Sequence, residues 1–275
     1  MAVGSLDERR YVSVLFCDIS GYNTLTEKLS ASELSALLNE YFEMMGEAVS
    51  KFKENHNHQI LSACIGNRII VVFGSPLPLE DHAWLAMQTA NEMSERVGEY
   101  KTKLLSTNKP AIKIGIGIHS ESVLSRNLSA TKGMDFMAIG ADVHVGYRLE
   151  GICKQYGCNI VISQKTYQLC QEKIRVRELD FIRLPGESRP VTIYEYLGLD
   201  GDSISEQKQE ALKHYQKGRE HYLNRKFALA MGEFAKVMEL ETNDKAAAIQ
   251  LKRCQHWLKT PPPEDKEWDG CWPGN

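Results

Sequence analysis

"ACIGNRIIVVFG", residues 63–74, sets a Gly-Asn pair between two β-prone runs, the second of them unbroken in its apolar character from Ile69 to Phe73. Glycine adopts left-handed backbone angles without strain, and asparagine tolerates them and bonds its own main chain, so Gly66-Asn67 reads as the tight turn of a hairpin. Asn67 at that tip is an ordinary turn residue. The same tip is also a place where a hairpin can present a side chain to the end of a neighbouring strand.

Working outward, Tyr11–Cys17 (YVSVLFC) is a β-rich run that ends at Asp18, and residues 19–30 (ISGYNTLTEKLS) read as a loop. From Ser32 to about Asn55 the apolar residues Leu34, Leu37, Leu38, Tyr41, Phe42, Met45, Val49 and Phe52 recur at three and four, the spacing of an amphipathic helix. A second helix is expected from Asp81 to Leu105 and a strand over Ile112–His119. Beyond them the pattern gives a strand at Phe136–Ile139, a helix at Val143–Tyr156, a strand at Asn159–Ser163, a helix at Gln164–Cys170, and strands near Arg177–Arg183 and Val191–Leu197. Strands interleaved with helices and partly joined as hairpins predict an α+β domain with helices on the faces of its sheet.

Four segments follow from composition: residues 1–10 as an N-terminal segment, 11–198 as the α+β domain, 199–205 as a linker, and 206–275 as a helical tail. The tail is read as helices at Glu206–Asn224, Phe227–Leu240 and Asp244–Leu258. Its Ala211, Gly218, Tyr222, Phe227, Ala230 and Phe234 have tetratricopeptide-like spacing over about one and a half repeats, too few to bury much core alone, so the tail is expected to dock on a protein partner. Tyr215, Tyr222 and Phe227 are read as the lining of a small groove for that partner, the charged residues of the tail as solvated, and the final tryptophans as tucked against the helices.

The chain of 275 residues is 43% hydrophobic and 25% charged, enough for one substantial core and a smaller unit, and its net charge of -3 argues against nucleic acid as a partner. No run approaches the length of a membrane span, and the start MAVGSLDERR lacks the apolar core of a signal peptide, so a cytoplasmic location is expected. The seven cysteines are scattered and read as reduced, mostly buried thiols; Cys153 and Cys158 form the one close pair, without the further ligands that zinc requires.

Six blocks, "VLFCDISGY", "IGNRIIVVFGSPLPLEDHA", "IKIGIGIH", "MDFMAIGADVHVGYRLE", "YGCNIVIS" and "RPVTIYEYLG", together resemble the catalytic domain of class III adenylate/guanylate cyclases over residues 11–198. The resemblance implies a ferredoxin-like cyclase fold, a central mostly antiparallel sheet with flanking helices, followed by a small all-α unit. It also implies a composite site between two protomers, a homodimer or a heterodimer with another cyclase-type domain, in which Mg²⁺ or Mn²⁺ prepares the 3′-hydroxyl of a nucleoside triphosphate to attack its own α-phosphate.

Position by position, the first metal carboxylate matches Asp18, the backbone of Ile19 would assist it, and Ser20, Gly21 and Tyr22 would face the phosphates. The second carboxylate matches Asn67, a neutral amide that Mg²⁺ and Mn²⁺ accept poorly. The base-reading positions match Ala63 and Met137, the transition-state pair matches His144 and Arg148, and the triphosphate lysine matches Pro185. Only Arg148 survives of those five. Glycines usual in the hairpin of active relatives are replaced by Glu121, Arg126 and Ser129.

Each position keeps a plainer reading. Asp18 can simply cap the turn after its strand, Asn67 can be turn chemistry, Arg148 a salt-bridging residue on a dimer face, and His144 polar filling. The resemblance to a phosphorus-oxygen lyase thus points to a catalytically degenerate regulatory or scaffolding protein of cyclic-nucleotide signalling, without a bound ion or with one Mg²⁺ or Mn²⁺. The alternatives are a working nucleotidyl cyclase with non-standard residues and a nucleotide sensor without turnover.

Overall fold

The structure, a computed structural model, describes residues 8–56, 58–125, 143–183, 190–263 and 268–273. The chain divides into two compact units, Met1–Lys154 with Asn159–Cys170, and Gln155–Cys158 with Gln171–Asn275. The expected strand at Phe136–Ile139 lies outside the described residues.

The first unit is built on the strands β1 (Glu8–Ser20), β2 (Ile60–Ile65), β3 (Arg68–Phe73), β4 (Lys113–Ser125) and β5 (Ile160–Ser163), in the order β2-β3-β1-β4-β5. β1 runs antiparallel to both β3 and β4, β2 is antiparallel to β3, and β5 is parallel to β4. The mixed sheet flanked by helices is the expected architecture. Gly66, at φ +64°, occupies the first turn position between β2 and β3, as the hairpin requires.

Helices cover both faces. α2 (Ala31–Lys53) starts at Ser30, whose hydroxyl caps the Glu33 amide while Glu33 returns a bond to the Ser30 amide, and it buries Leu37, Tyr41, Met45, Ala48 and Val49. With α3 (His82–Ser106) it covers the face carrying Ser13 and Cys17: Tyr41 meets Cys17, and His82 meets Ser13. The other face carries Val14 and Phe16 and receives α4 (Val143–Tyr156). Two glycines make that approach feasible. A Cβ at Gly117 would lie 2.9 Å from the Leu149 carbonyl carbon and closer still to the Glu150 nitrogen and Gly146 oxygen, while one at Gly146 would strike the Phe16 ring at 2.6 Å.

Between Asp18 and α2 the sequence composition reads as loop, but a short helix, α1 (Tyr22–Lys28), forms there, with Gly21 in the left-handed region at its start. α5 (Gln164–Cys170) closes the unit. A buried polar chain threads it: His82 Nδ1, Ser13 Oγ, Ser120 Oγ, Thr166 Oγ1, Ser163 Oγ and His119 Nδ1 are linked by contacts of 2.6–3.2 Å.

In the second unit β6 (Ile174–Ile182) and β7 (Val191–Leu199) form an antiparallel pair, accompanied by α6 (Glu206–Leu223), α7 (Phe227–Leu240) and α8 (Lys245–Lys259). The helices match the expected ones to within a residue or two. Of the expected groove residues Tyr215 lines a pocket, with Leu212, Arg219 and Leu223, while Tyr222 and Phe227 are instead buried edge to face at 5.6 Å and pack with Trp257 and Trp268. The tail's charges are not all solvated either. Arg219 and Arg253 are buried around Asp180, which also accepts a hydrogen bond from Tyr156 at 2.5 Å. A buried guanidinium is tolerated only with such a partner, and periodicity cannot reveal one so distant in sequence. Trp268 is tucked in as expected, its indole N–H donating to the Leu223 carbonyl at 2.9 Å.

Among the described residues no helix is long and apolar enough to cross a membrane.

Candidate active site

The β1–β3 register sets Asp18 directly opposite Arg68, and the β1–β4 register sets it opposite Gly115. Directly opposed residues project to the same face, so the first side chain of the apolar strand β3 is delivered to the carboxylate that ends β1's buried stretch. Arg68 Nε donates to Asp18 Oδ2 at 3.2 Å. Asn67, in the turn just before, donates through Nδ2 to Asp18 Oδ1. Both carboxylate oxygens are therefore engaged by the hairpin tip.

The guanidinium is held from its other side as well. Arg68 Nη2 donates to the Tyr147 hydroxyl at 3.2 Å, and its central carbon lies 4.3 Å from the centroid of the Tyr147 ring. Tyr147 belongs to α4, so one side chain joins β1, β3 and α4. One turn further along that helix, Glu150 occupies the space left by Gly115, where a Cβ would come within 3.3 Å of Glu150 Oε1. Burial, reinforced by the charge of Asp18 and opposed by Arg68 and Lys154, pushes the Glu150 carboxyl up to about 7. Burial likewise pushes the Cys17 thiol up to about 12, so it is a packed thiol rather than a nucleophile.

The structure thus brings Asp18 and Asn67 together and adds Arg68, Tyr147 and Glu150, which the sequence reading missed. Ile19 is buried beside Asp18 in β1, Ser20 ends that strand, and Gly21 and Tyr22 open α1. Ala63 sits in β2 opposite Ile70. Arg148 lies on α4, partly exposed, and the backbone of His144 lies in the first turn of the same helix. Met137, Pro185, Arg126 and Ser129 lie outside the described residues. Glu121 pairs with Lys165 of α5 and lies 3.8 Å from His119 Nε2.

Divalent magnesium or manganese demands charged oxygen with free lone pairs. Here the Asp18 carboxylate already accepts from a guanidinium and an amide N–H, one on each oxygen, and the second position supplies a neutral amide. Among the described residues no group of three or more His, Cys, Asp or Glu side chains could hold a metal ion. The residues in place do not fit a pair of divalent ions.

Residues 6–197 match the family model described as the adenylate and guanylate cyclase catalytic domain. The chain belongs to that family. It is 32% identical over 202 residues to an adenylate cyclase of Anabaena cylindrica, an alignment that covers 70% of this chain but 38% of that relative. The chain therefore spans well under half the length of this curated cyclase. Among solved structures, the adenylyl cyclase CyaB from P. aeruginosa aligns with a TM-score of 0.56 at 27% identity, covering 72% of this chain and 96% of that one. The guanylyl cyclase domain of the RhoGC fusion protein from the aquatic fungus Blastocladiella emersonii, described as a non-canonical dimer, aligns at 23% identity with a TM-score of 0.54, over 70% of this chain and 99% of that one, a likeness of fold alone. The cyclase fold is present, with the hairpin tip closed on the strand-end carboxylate.

Proposed function

We propose that this chain is a catalytically silent member of the cyclase family, a regulatory or scaffolding domain that works by pairing with a second cyclase-type domain. One observation carries the reading: the Asp18 carboxylate at the end of β1 is doubly engaged by Asn67 and Arg68 of the neighbouring β2–β3 hairpin. Cyclisation of a nucleoside triphosphate requires the 3′-hydroxyl to be made nucleophilic and the charge developing on the phosphates to be neutralised. A carboxylate already paired with an internal cation can do neither through a metal. Ala63, in place of a base-reading lysine, removes a polar contact, and each such loss typically costs about 3 kcal/mol of transition-state stabilisation. Pairing as a homodimer or heterodimer is proposed from the retained cyclase fold. The α6–α8 helices are the proposed second contact surface.

A second reading is favoured by one observation, the Glu150 carboxyl placed over Gly115 beside Asp18. In a working cyclase with a non-standard site, that carboxyl would stand in for the missing second acid. Incubating the protein with each common nucleoside triphosphate and Mn²⁺, beside an Asp18→Ala control, separates the two. Silence predicts identical traces; cyclic nucleotide above the control establishes the working enzyme.

A further inference from the structure

We infer that Arg68 is a built-in counter-cation: its guanidinium takes the place of a divalent ion at Asp18 and keeps such ions out for as long as it is present. The inference rests on Asp18 occupying the family's metal-carboxylate position.

Asp18 and Arg68 are directly opposed across β1 and β3, so the two opposite charges meet without either side chain having to search for the other. Nε reaches Oδ2 at 3.2 Å, and Asn67 Nδ2 takes Oδ1, leaving no carboxylate oxygen without a donor. The tether then makes the pairing hard to displace. Arg68 is fixed by the sheet at its backbone and by Tyr147 at its head, through the hydroxyl at 3.2 Å and the ring face at 4.3 Å. An ion from solution must compete with a cation already bound at a high effective concentration. It must also shed tightly held water, whereas a guanidinium is weakly hydrated.

Charge supports the same conclusion. A divalent ion placed at Asp18 would sit beside the Arg68 cation, and like charges at contact distance repel strongly where solvent is partly excluded. Arg68 stays protonated across the physiological range, so acidity or alkalinity does not open the lock. Once the guanidinium is removed, the oxygens left there are those a single ion could use: Asp18, an asparagine whose amide can turn its oxygen inward, and the Glu150 carboxyl over Gly115. The site is latent, and Arg68 is what fills it.

The test is a Mn²⁺ titration of the full chain without nucleotide, with free Mn²⁺ read by electron paramagnetic resonance. Five proteins are compared: wild type, Asp18→Ala, Arg68→Gln, the double variant Asn67→Asp/Arg68→Gln, and that double variant with Asp18→Ala added. Glutamine keeps the stem and a donor while removing the charge, which protects folding; circular dichroism confirms it. Wild type and Asp18→Ala should be indistinguishable, and the double variant should bind Mn²⁺ about tenfold or more tighter than wild type, a gain abolished by adding Asp18→Ala. Arg68→Gln alone should lie between. Wild-type binding that is lost in Asp18→Ala overturns the inference, as does a folded double variant with no gain. Should the double variant fail to fold, the wild-type and Asp18→Ala titrations decide alone. Because no nucleotide is present, turnover by the wild type would sink the proposed silence without touching this result, and Asp18-dependent Mn²⁺ binding without turnover would do the reverse.

Discussion

Replacing Glu150 with glutamine should stabilise the protein, and increasingly so as the pH rises. Its carboxyl is packed into the gap over Gly115 next to a second carboxylate, and burial first, then the Asp18 charge, raises it from 4.5 to about 7. The folded state therefore holds that proton more tightly than the unfolded chain does. Stability contributed by the group is complete below about pH 4.5 and is lost as the pH climbs through about 7. At full burial a displacement of that size corresponds to about 3 kcal/mol, and the partial solvent access of the carboxyl reduces it to about 1–2 kcal/mol. Glutamine copies the shape of the protonated acid and cannot ionise. Urea unfolding of wild type and Glu150→Gln should give nearly equal stabilities at about pH 5 and a variant more stable by about 1–2 kcal/mol at about pH 8. A difference that is flat with pH, or a variant that loses ground on the alkaline side, would refute the burial of the Glu150 carboxyl over Gly115.

His119 titrates in the opposite sense. Burial holds it down at about 4 against an ordinary 6.5, so wild-type stability should fall as the pH drops from about 6.5 towards 4, by up to about 3 kcal/mol, and His119→Gln should flatten that slope in the same urea series. Gly117→Ala drives a methyl into the backbone of α4 and should cost about 3 kcal/mol, read as a lowered thermal midpoint. Asp180→Asn removes the buried carboxylate that pairs with both Arg219 and Arg253, leaving Arg219 the weaker contact with Glu178 at 3.5 Å, and should destabilise the protein by about 3 kcal/mol, measured by denaturant titration.

What the sequence discloses here follows the range of its signals. Helix periodicity is local, so α2, α3 and α6–α8 can be read within a residue or two, and the Gly66-Asn67 turn is equally local. α1 escapes because Ser20, Gly21, Asn23 and Thr24 have the composition of a loop, and a helix of seven residues shows too little period to contradict it. Asp18 and Asn67 come from family resemblance. Arg68 comes from neither source, since a lone arginine at the start of an apolar strand reads as an exposed end until β1 and β3 are aligned. The available signal was a cross-strand one: a strand ending in Asp and a neighbour beginning with Arg. Glu150 is hidden for a similar reason. Its burial is decided by what Gly115 and Gly117 lack, 35 and 33 residues earlier in the chain. Arg219 and Arg253 repeat the lesson, their burial depending on Asp180 in a different element.

The central claim, that this hairpin closes on the Asp18 carboxylate of the adjacent strand in place of metal, is tested most directly by diffraction from crystals soaked with Mn²⁺ and a nucleoside triphosphate. The account predicts no anomalous manganese signal at Asp18 and the Arg68 guanidinium still paired with it. Two manganese peaks beside Asp18, with Arg68 swung away, would contradict it.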